Sequence, residues 1–159
     1  MVTAGQITIN LVRQLRELER LYVIPNLYIR GNECDVYCET NSYSYEYEIK
    51  ISKADFLADF KKTRKHFLLK RGERVNRFYY VVPFPANTPH DYILIGDMPK
   101  YAGLIYYSNS QFKQIKTAPI LNRKKLTYNK EIKNACYSRY CHYSEKYYSE
   151  ALTCLRKKK

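Results

Sequence analysis

Apolar positions first recur at helical spacing. Leu11, Leu15, Leu18 and Tyr22 share one stripe, so residues 1–22 are expected to hold a helix from about Gln6. Pro25 ends that pattern. Residues 27–30 read as a short extended lead-in, with a turn at Gly31 and Asn32. Two strand-like runs follow. Residues 35–38 form the first, the polar stretch 39–42 a turn, and the Tyr- and Ile-rich stretch 43–51 the second. A short polar connection between them predicts an antiparallel hairpin. Residues 53–64 return to helical spacing, with Phe56, Leu57 and Phe60 on one face and Ser52 placed to cap it. Residues 67–72 end at a glycine suited to a helix C-terminus.

The second half reads mainly as strand and loop. Residues 78–82 are almost continuously apolar, the mark of a strand covered on both faces. Residues 83–91 contain Pro83, Pro85 and Pro89 and read as loop, with His90 an ordinary exposed histidine. Further strands are expected at 104–107 and 112–116. The order predicts an α/β fold with a central mixed sheet flanked by helices. From Asn122 the chain turns polar and basic, so residues 1–121 are expected to form a core domain and 122–159 a basic, helical C-terminal extension.

Side chains alternate along a strand. In residues 43–51, Tyr45, Tyr47, Ile49 and Ile51 face one way and would meet the core. Glu48 and Lys50 face the other way, roughly 6–7 Å apart along the strand. In a favourable hairpin register Asp35 would lie across from Glu48 on that same face. Two carboxylates and an amine would then converge. Mg²⁺ takes few protein carboxylates together with substrate phosphate. A neighbouring lysine can orient water or stabilise charge on phosphate. By itself a Glu-x-Lys pair on a strand is more often a solvated ion pair.

Charge narrows the field of partners. The chain carries a net charge of +13, unevenly spread. Residues 53–77 hold +6, residues 122–159 hold +8, and the remainder holds −1. Two basic segments flanking a near-neutral core favour a polyanionic partner. Tyr is abundant, with 18 residues, while Trp is absent. Most of these tyrosines are expected in the core, though Tyr can also stack on unpaired bases. No run of 18 apolar residues suggests a membrane span. The start of the chain lacks a basic-then-apolar leader pattern. Five irregularly spaced cysteines read as reduced thiols of a cytoplasmic protein. Cys136, Cys141, His142 and Cys154 lack the paired spacing of a zinc site.

The string EIKISKADFLADFKKTRKH, from Glu48 to His66 and preceded by Asp35, resembles the PD-(D/E)XK nuclease superfamily. Within it the string resembles the MmcB-like branch of small bacterial and phage DNA-repair proteins. The runs 79–83, 99–106 and 116–119 share that likeness, which covers about residues 20–120. Cys34 departs from the branch, where many members have Pro.

The resemblance implies a restriction-endonuclease-like core and a metal-dependent DNA endonuclease. Its substrates would be junctions, flaps or other repair intermediates. Asp35 and Glu48, with the carbonyl of Ile49, would hold Mg²⁺ (or Mn²⁺), and Lys50 would position the attacking water. Superfamily members often add an acidic residue from a preceding helix, and helical phase favours Glu19 over Glu17. Ser52, Lys53, Lys61, Lys62, Arg64, Lys65 and His66 would support the site or touch DNA. Arg123, Lys124 and Lys125 would grip DNA from the extension. Paired cuts would call for a homodimer, and the setting would be a bacterial or phage-infected cell. The competing class is a nucleic-acid-binding module on a degenerate nuclease fold. A third class is a structural protein without a polyanionic partner.

Overall fold

The computed structural model describes residues 1–18 and 20–139. The main elements of residues 1–127 run in order: α1 (Ala4–Glu17), β1 (Tyr22–Ile29), β2 (Asn32–Glu39), β3 (Ser44–Ile49), α2 (Lys53–Asp59), α3 (Thr63–Lys70), β4 (Arg77–Pro83), β5 (Ala102–Ser108) and β6 (Gln111–Lys116). The strands form a single six-stranded sheet in sequence order. β3, β4 and β5 run parallel, and the outer pairs are antiparallel. This is the mixed sheet flanked by helices that the sequence predicts.

Two hairpins close through two-residue turns whose residues all have positive φ. Arg30 (51°) and Gly31 (90°) join β1 to β2, and Asn109 (49°) and Ser110 (62°) join β5 to β6. That geometry matches the natural twist of paired strands. The β3-to-β4 step joins parallel strands, so it needs a crossover, and α2 and α3 supply it. After α3 the chain turns at Gly72, which has φ +65°. A Cβ there would lie 2.1 Å from the carbonyl oxygen of Leu121, so only glycine fits.

The sheet's two faces differ. On one, α1 lays Ile7, Leu11 and Leu15 over Val36, Tyr47, Tyr79, Val81 and Ile105 in an apolar core. Tyr45, Tyr47, Ile49 and Ile51 join it on the side the alternation predicts. The other face, beneath α2 and α3, mixes Phe56, Leu69, Phe78 and Tyr80 with buried Glu46, Glu48, Asp59, Lys65 and Arg74.

Three expectations need correction. The first helix ends at Glu17, and Tyr22 opens β1 instead. Pro25 therefore sits within a strand, which is tolerated because β1 is a sheet edge. The single helix expected over 53–64 is two helices, interrupted at residues 60–62. The chain divides into two units between Thr127 and Tyr128. Residues 122–126 belong to the first, because Asn76 donates to the carbonyls of Asn122 and Lys124 and accepts from the Leu126 N–H. In the second, residues 129–139 are helical. Among the described residues no helix is long and apolar enough to cross a membrane.

Candidate active site

β3 sets the site by alternation. It turns Glu46 and Glu48 toward α2 and α3 and sends Tyr45, Tyr47 and Ile49 into the opposite core. The hairpin register pairs Val36 with Tyr47 and Tyr37 with Glu46, so continuing it brings Asp35 opposite Glu48. Asp35 Oδ2 accepts the Ile49 N–H at 2.7 Å. Lys50 continues the strand, its N–H bonded to the Val81 carbonyl, and its Nζ lies 3.0 Å from Glu48 Oε1. Lys50 Nζ also approaches Asp55 (3.4 Å) and Asp59 (3.6 Å).

Ser52 caps α2 by accepting from the Asp55 N–H. One helix of seven residues later, Asp59 arrives over the sheet, fully buried. Its Oδ2 accepts from the Tyr80 hydroxyl at 2.8 Å. Tyr80 stands beside Glu48 because β3 and β4 pair those two positions. The break after α2 then folds Lys62 and Lys65 back on both carboxylates. Lys62 Nζ is 3.0 Å from Glu48 Oε1 and 3.0 Å from Asp59 Oδ1. Lys65 Nζ is 2.9 Å from Glu48 Oε2 and 3.1 Å from Asp59 Oδ2. Despite that proximity Glu48 Oε2 accepts no hydrogen bond among the described residues. His66 fits a tautomer in which Nε2–H donates to the Asp59 carbonyl and Nδ1 accepts from the Tyr101 hydroxyl.

The electrostatics follow from this packing. Burial and the charge of Glu48 push the Asp35 carboxyl up to about 6, against the pull of the Ile49 N–H and of Lys50. Asp35 has no ion-pair partner among the described residues. Burial alone would push Asp59 up, but the His66 hydrogen bond and the Lys65 and Lys50 charges hold it well below the usual carboxylate range. Burial likewise opposes the charge of Lys50, yet Glu48 and Asp59 raise it above its ordinary value. Lys50 is therefore an ammonium at neutral pH. It can donate and neutralise, and in this arrangement it is not a base.

A second buried pair braces the site. Arg74 Nε lies 2.6 Å from Glu46 Oε2, and Nη2 lies 3.1 Å from Oε1. Its Nη1 also bonds the Ile29 carbonyl, which ties the β1–β2 turn to β3.

The sequence-predicted residues divide into groups. Asp35, Glu48, the Ile49 backbone and Lys50 come together. Lys65 and His66 do not reach the surface: Lys65 is fully buried and His66 is 5% exposed. Contact with DNA phosphate is corrected to support of the carboxylates, because the cost of burying Lys65 is met by Glu48 and Asp59. Lys62 is half-buried at the rim of the same cluster. Lys53 pairs with Asp97 at 2.6 Å, and Lys125 with Glu39 at 3.0 Å. Lys61, Arg64, Arg123 and Lys124 are exposed, and the Arg64 guanidinium rests beside Gly31. Glu19 lies outside the described residues, as do Cys141, His142 and Cys154. Asp59, Tyr80, Glu46 and Arg74 were assigned no role from sequence. Their one signal was Asp59 at the end of the Ser-x-x-Asp-Phe-x-x-Asp string.

A divalent ion can be tested against this donor set. Among the described residues no group of three or more His, Cys, Asp and Glu side chains is placed to hold a metal. A two-carboxylate site of the Mg²⁺ kind asks for less. Asp35 is an unpaired, partly buried carboxylate, and Glu48 Oε2 is a buried oxygen without a hydrogen bond. Asp35 offers the oxygens that a cation would satisfy, whereas Glu48 Oε2 already faces the Lys65 ammonium at 2.9 Å and would have to exchange that neighbour for a metal.

Sequence comparison adds nothing to this geometry, since no family profile and no curated protein matches the chain. Among solved structures, the fold is similar to the SPO1766 protein of unknown function from Silicibacter pomeroyi. The TM-score is 0.59 at 21% identity, covering 91% of this chain and 89% of that one. At that identity the likeness concerns the fold alone.

Proposed function

We propose that the chain is a metal-dependent endodeoxyribonuclease of the PD-(D/E)XK type, acting on branched or flapped DNA. The observation that carries the reading is the unpaired Asp35 carboxyl opposite Glu48, with the Lys50 ammonium 3.0 Å from Glu48. Asp35 and Glu48, joined by the Ile49 carbonyl, would hold Mg²⁺ or Mn²⁺. When bound, such an ion supplies Lewis acidity toward water and the scissile phosphate. The chain's own groups do the rest. The Ile49 N–H fixes one oxygen of Asp35 and so aims the other. Lys50 stays protonated, orients the attacking water and offsets negative charge gathering on the phosphate. Lys62, half-buried at the rim and paired with Glu48 and Asp59, would meet a phosphate by exchanging these partners as substrate arrives. Lys65, His66 and Tyr80 hold Asp59 in place beneath them. The same reading places the protein in the cytoplasm of a bacterial or phage-infected cell, in keeping with the buried free thiols of Cys34 and Cys38. Paired cuts would bring two copies together as a dimer.

A second reading has one observation of its own. Glu48 is almost wholly buried and surrounded by Lys50, Lys62 and Lys65. A carboxylate so neutralised also suits a binding module that no longer cuts. Incubation with branched, flapped and linear DNA in Mg²⁺ or Mn²⁺ separates the two. Cleavage is expected, and Lys50→Ala and Asp35→Asn should each slow it by about 10²-fold or more. Cleavage at the wild-type rate in both variants would overturn the nuclease reading. Salt-sensitive DNA binding with no cutting of any substrate would favour the module.

A further inference from the structure

The parallel strands β3, β4 and β5 carry the candidate site at their C-terminal end, and a second feature stands at that same end. Phe84 follows β4 directly, and its N–H bonds the Tyr107 carbonyl. Its ring stacks flat on Tyr106, with centroids 4.5 Å apart and planes 6° apart. Tyr106 is anchored at its tip by a hydrogen bond from its hydroxyl to the Ile93 carbonyl. Lys113 lies directly across from Tyr106 on β6, on the same face of the sheet, and is exposed. The tight turn at Asn109 and Ser110 closes the rim. Phe84, Tyr106, Asn109 and Lys113 are among the residues that border a surface cavity of about 340 Å³. Phe84 is 41% exposed; its ring also meets Tyr92 at 75° with centroids 5.8 Å apart, and Lys113 lines the same cavity.

Strand register relates this cavity to the carboxylates. Glu48 pairs with Tyr80, and Tyr80 with Leu104. Tyr106 is two residues further along β5, so it points to the same face as Glu48. Two strands across and two residues along put the backbone positions about 12 Å apart. That separation equals a few nucleotides of one strand. A flat aromatic platform with an adjacent cation is what an unpaired base and its phosphate require.

We infer that the Phe84–Tyr106 cavity binds an unpaired base of single-stranded DNA, a few nucleotides from the phosphate addressed by Asp35 and Glu48. The register of the proposed cut rests on the nuclease reading, while the base site itself does not. It gives the chain a means of selecting flaps and junctions over intact duplex, in which every base is already stacked.

The test is direct binding in EDTA, read by anisotropy of a labelled oligothymidine and, separately, of a blunt duplex. Phe84→Ala should weaken oligothymidine binding by about tenfold and leave duplex binding within about twofold. Phe84→Tyr should retain the wild-type affinity, and circular dichroism should show both variants folded. Lys113→Ala should lower the salt slope for oligothymidine by about one. Equal oligothymidine binding by wild type and Phe84→Ala overturns the inference, as does an equal loss on duplex. Failure of the wild type to bind oligothymidine overturns it too. Cleavage is assayed separately, so absence of cutting alongside Phe84-dependent binding would remove the nuclease reading and leave the base site standing.

Discussion

The sheet's two faces solve burial in opposite ways. Beneath α1 the contacts are apolar, with Ile7, Leu11 and Leu15 packed on Tyr47, Tyr79 and Val81. Beneath α2 and α3, carboxylates and cations are buried together. Burying apolar area stabilises directly. Burying ion pairs costs desolvation, and replacing such pairs by apolar residues is often neutral or stabilising. A chain selected for stability alone would have made both faces alike. The charged face is thus the one whose burial stability alone does not explain, and it is the face that carries the carboxylates of the proposed site.

The largest effect should come from unbalancing the charged face. Arg74→Ala leaves Glu46 buried without its bidentate partner and strips two backbone carbonyls of a donor. A loss of about 3–5 kcal/mol is expected, read as a lower urea midpoint. The double change Glu46→Leu with Arg74→Met should recover most of that loss. A single-variant cost under about 1 kcal/mol would mean that water reaches the pair, and the contrast between the faces would fail.

Much of this contrast is legible in the sequence, and the limits of what is legible have physical causes. Alternation through residues 43–51 separates Tyr45, Tyr47 and Ile49 from Glu48 and Lys50. The apolar run 78–82 marks β4 as covered on both faces. The break between α2 and α3 carries no such mark, because residues 60–62 contain neither Pro nor Gly. Tertiary contacts make it: Lys62 reaches Glu48 and Asp59, and Phe60 packs edge-on to Phe56. Lys65 and His66 look like surface residues for a similar reason. A lysine in a basic run is solvated unless distant carboxylates claim it, and Glu48 lies 17 positions away on a strand. Two glutamates turned toward a helix-covered face are the clue, since each demands a buried cation.

A smaller effect should come from the apolar face. Leu11→Ala removes buried methyl groups beneath α1 and should cost about 2–4 kcal/mol, again from urea unfolding. This cost should be nearly independent of pH, because the residues packed with Leu11 in that core are apolar side chains and tyrosines. Any cleavage activity should survive in the folded fraction. A loss of activity exceeding the loss of folded protein would couple the two faces and blur the division drawn between them.

The smallest effect has the opposite sign. Burial and Glu48 hold the Asp35 carboxyl at about 6, above its unfolded value. The fold therefore keeps a proton that the unfolded chain has released between about pH 4 and pH 6. Stability falls as pH rises through that window, and the full penalty stands above it. The shift corresponds to about 3 kcal/mol at most, and partial exposure reduces that to about 1 kcal/mol. Asp35→Asn keeps an oxygen for the Ile49 N–H while removing the charge. In EDTA at neutral pH it should be more stable than the wild type by about 1 kcal/mol, and near pH 4 the two should coincide. Adding Mg²⁺ at tenfold its dissociation constant should stabilise the wild type by about 1.4 kcal/mol and leave the variant unmoved. If Asp35→Asn instead loses stability at neutral pH, the carboxylate is a structural partner like Glu46. Among the described residues, the charged face would then lack the carboxylate without an ion-pair partner on which its proposed chemistry depends.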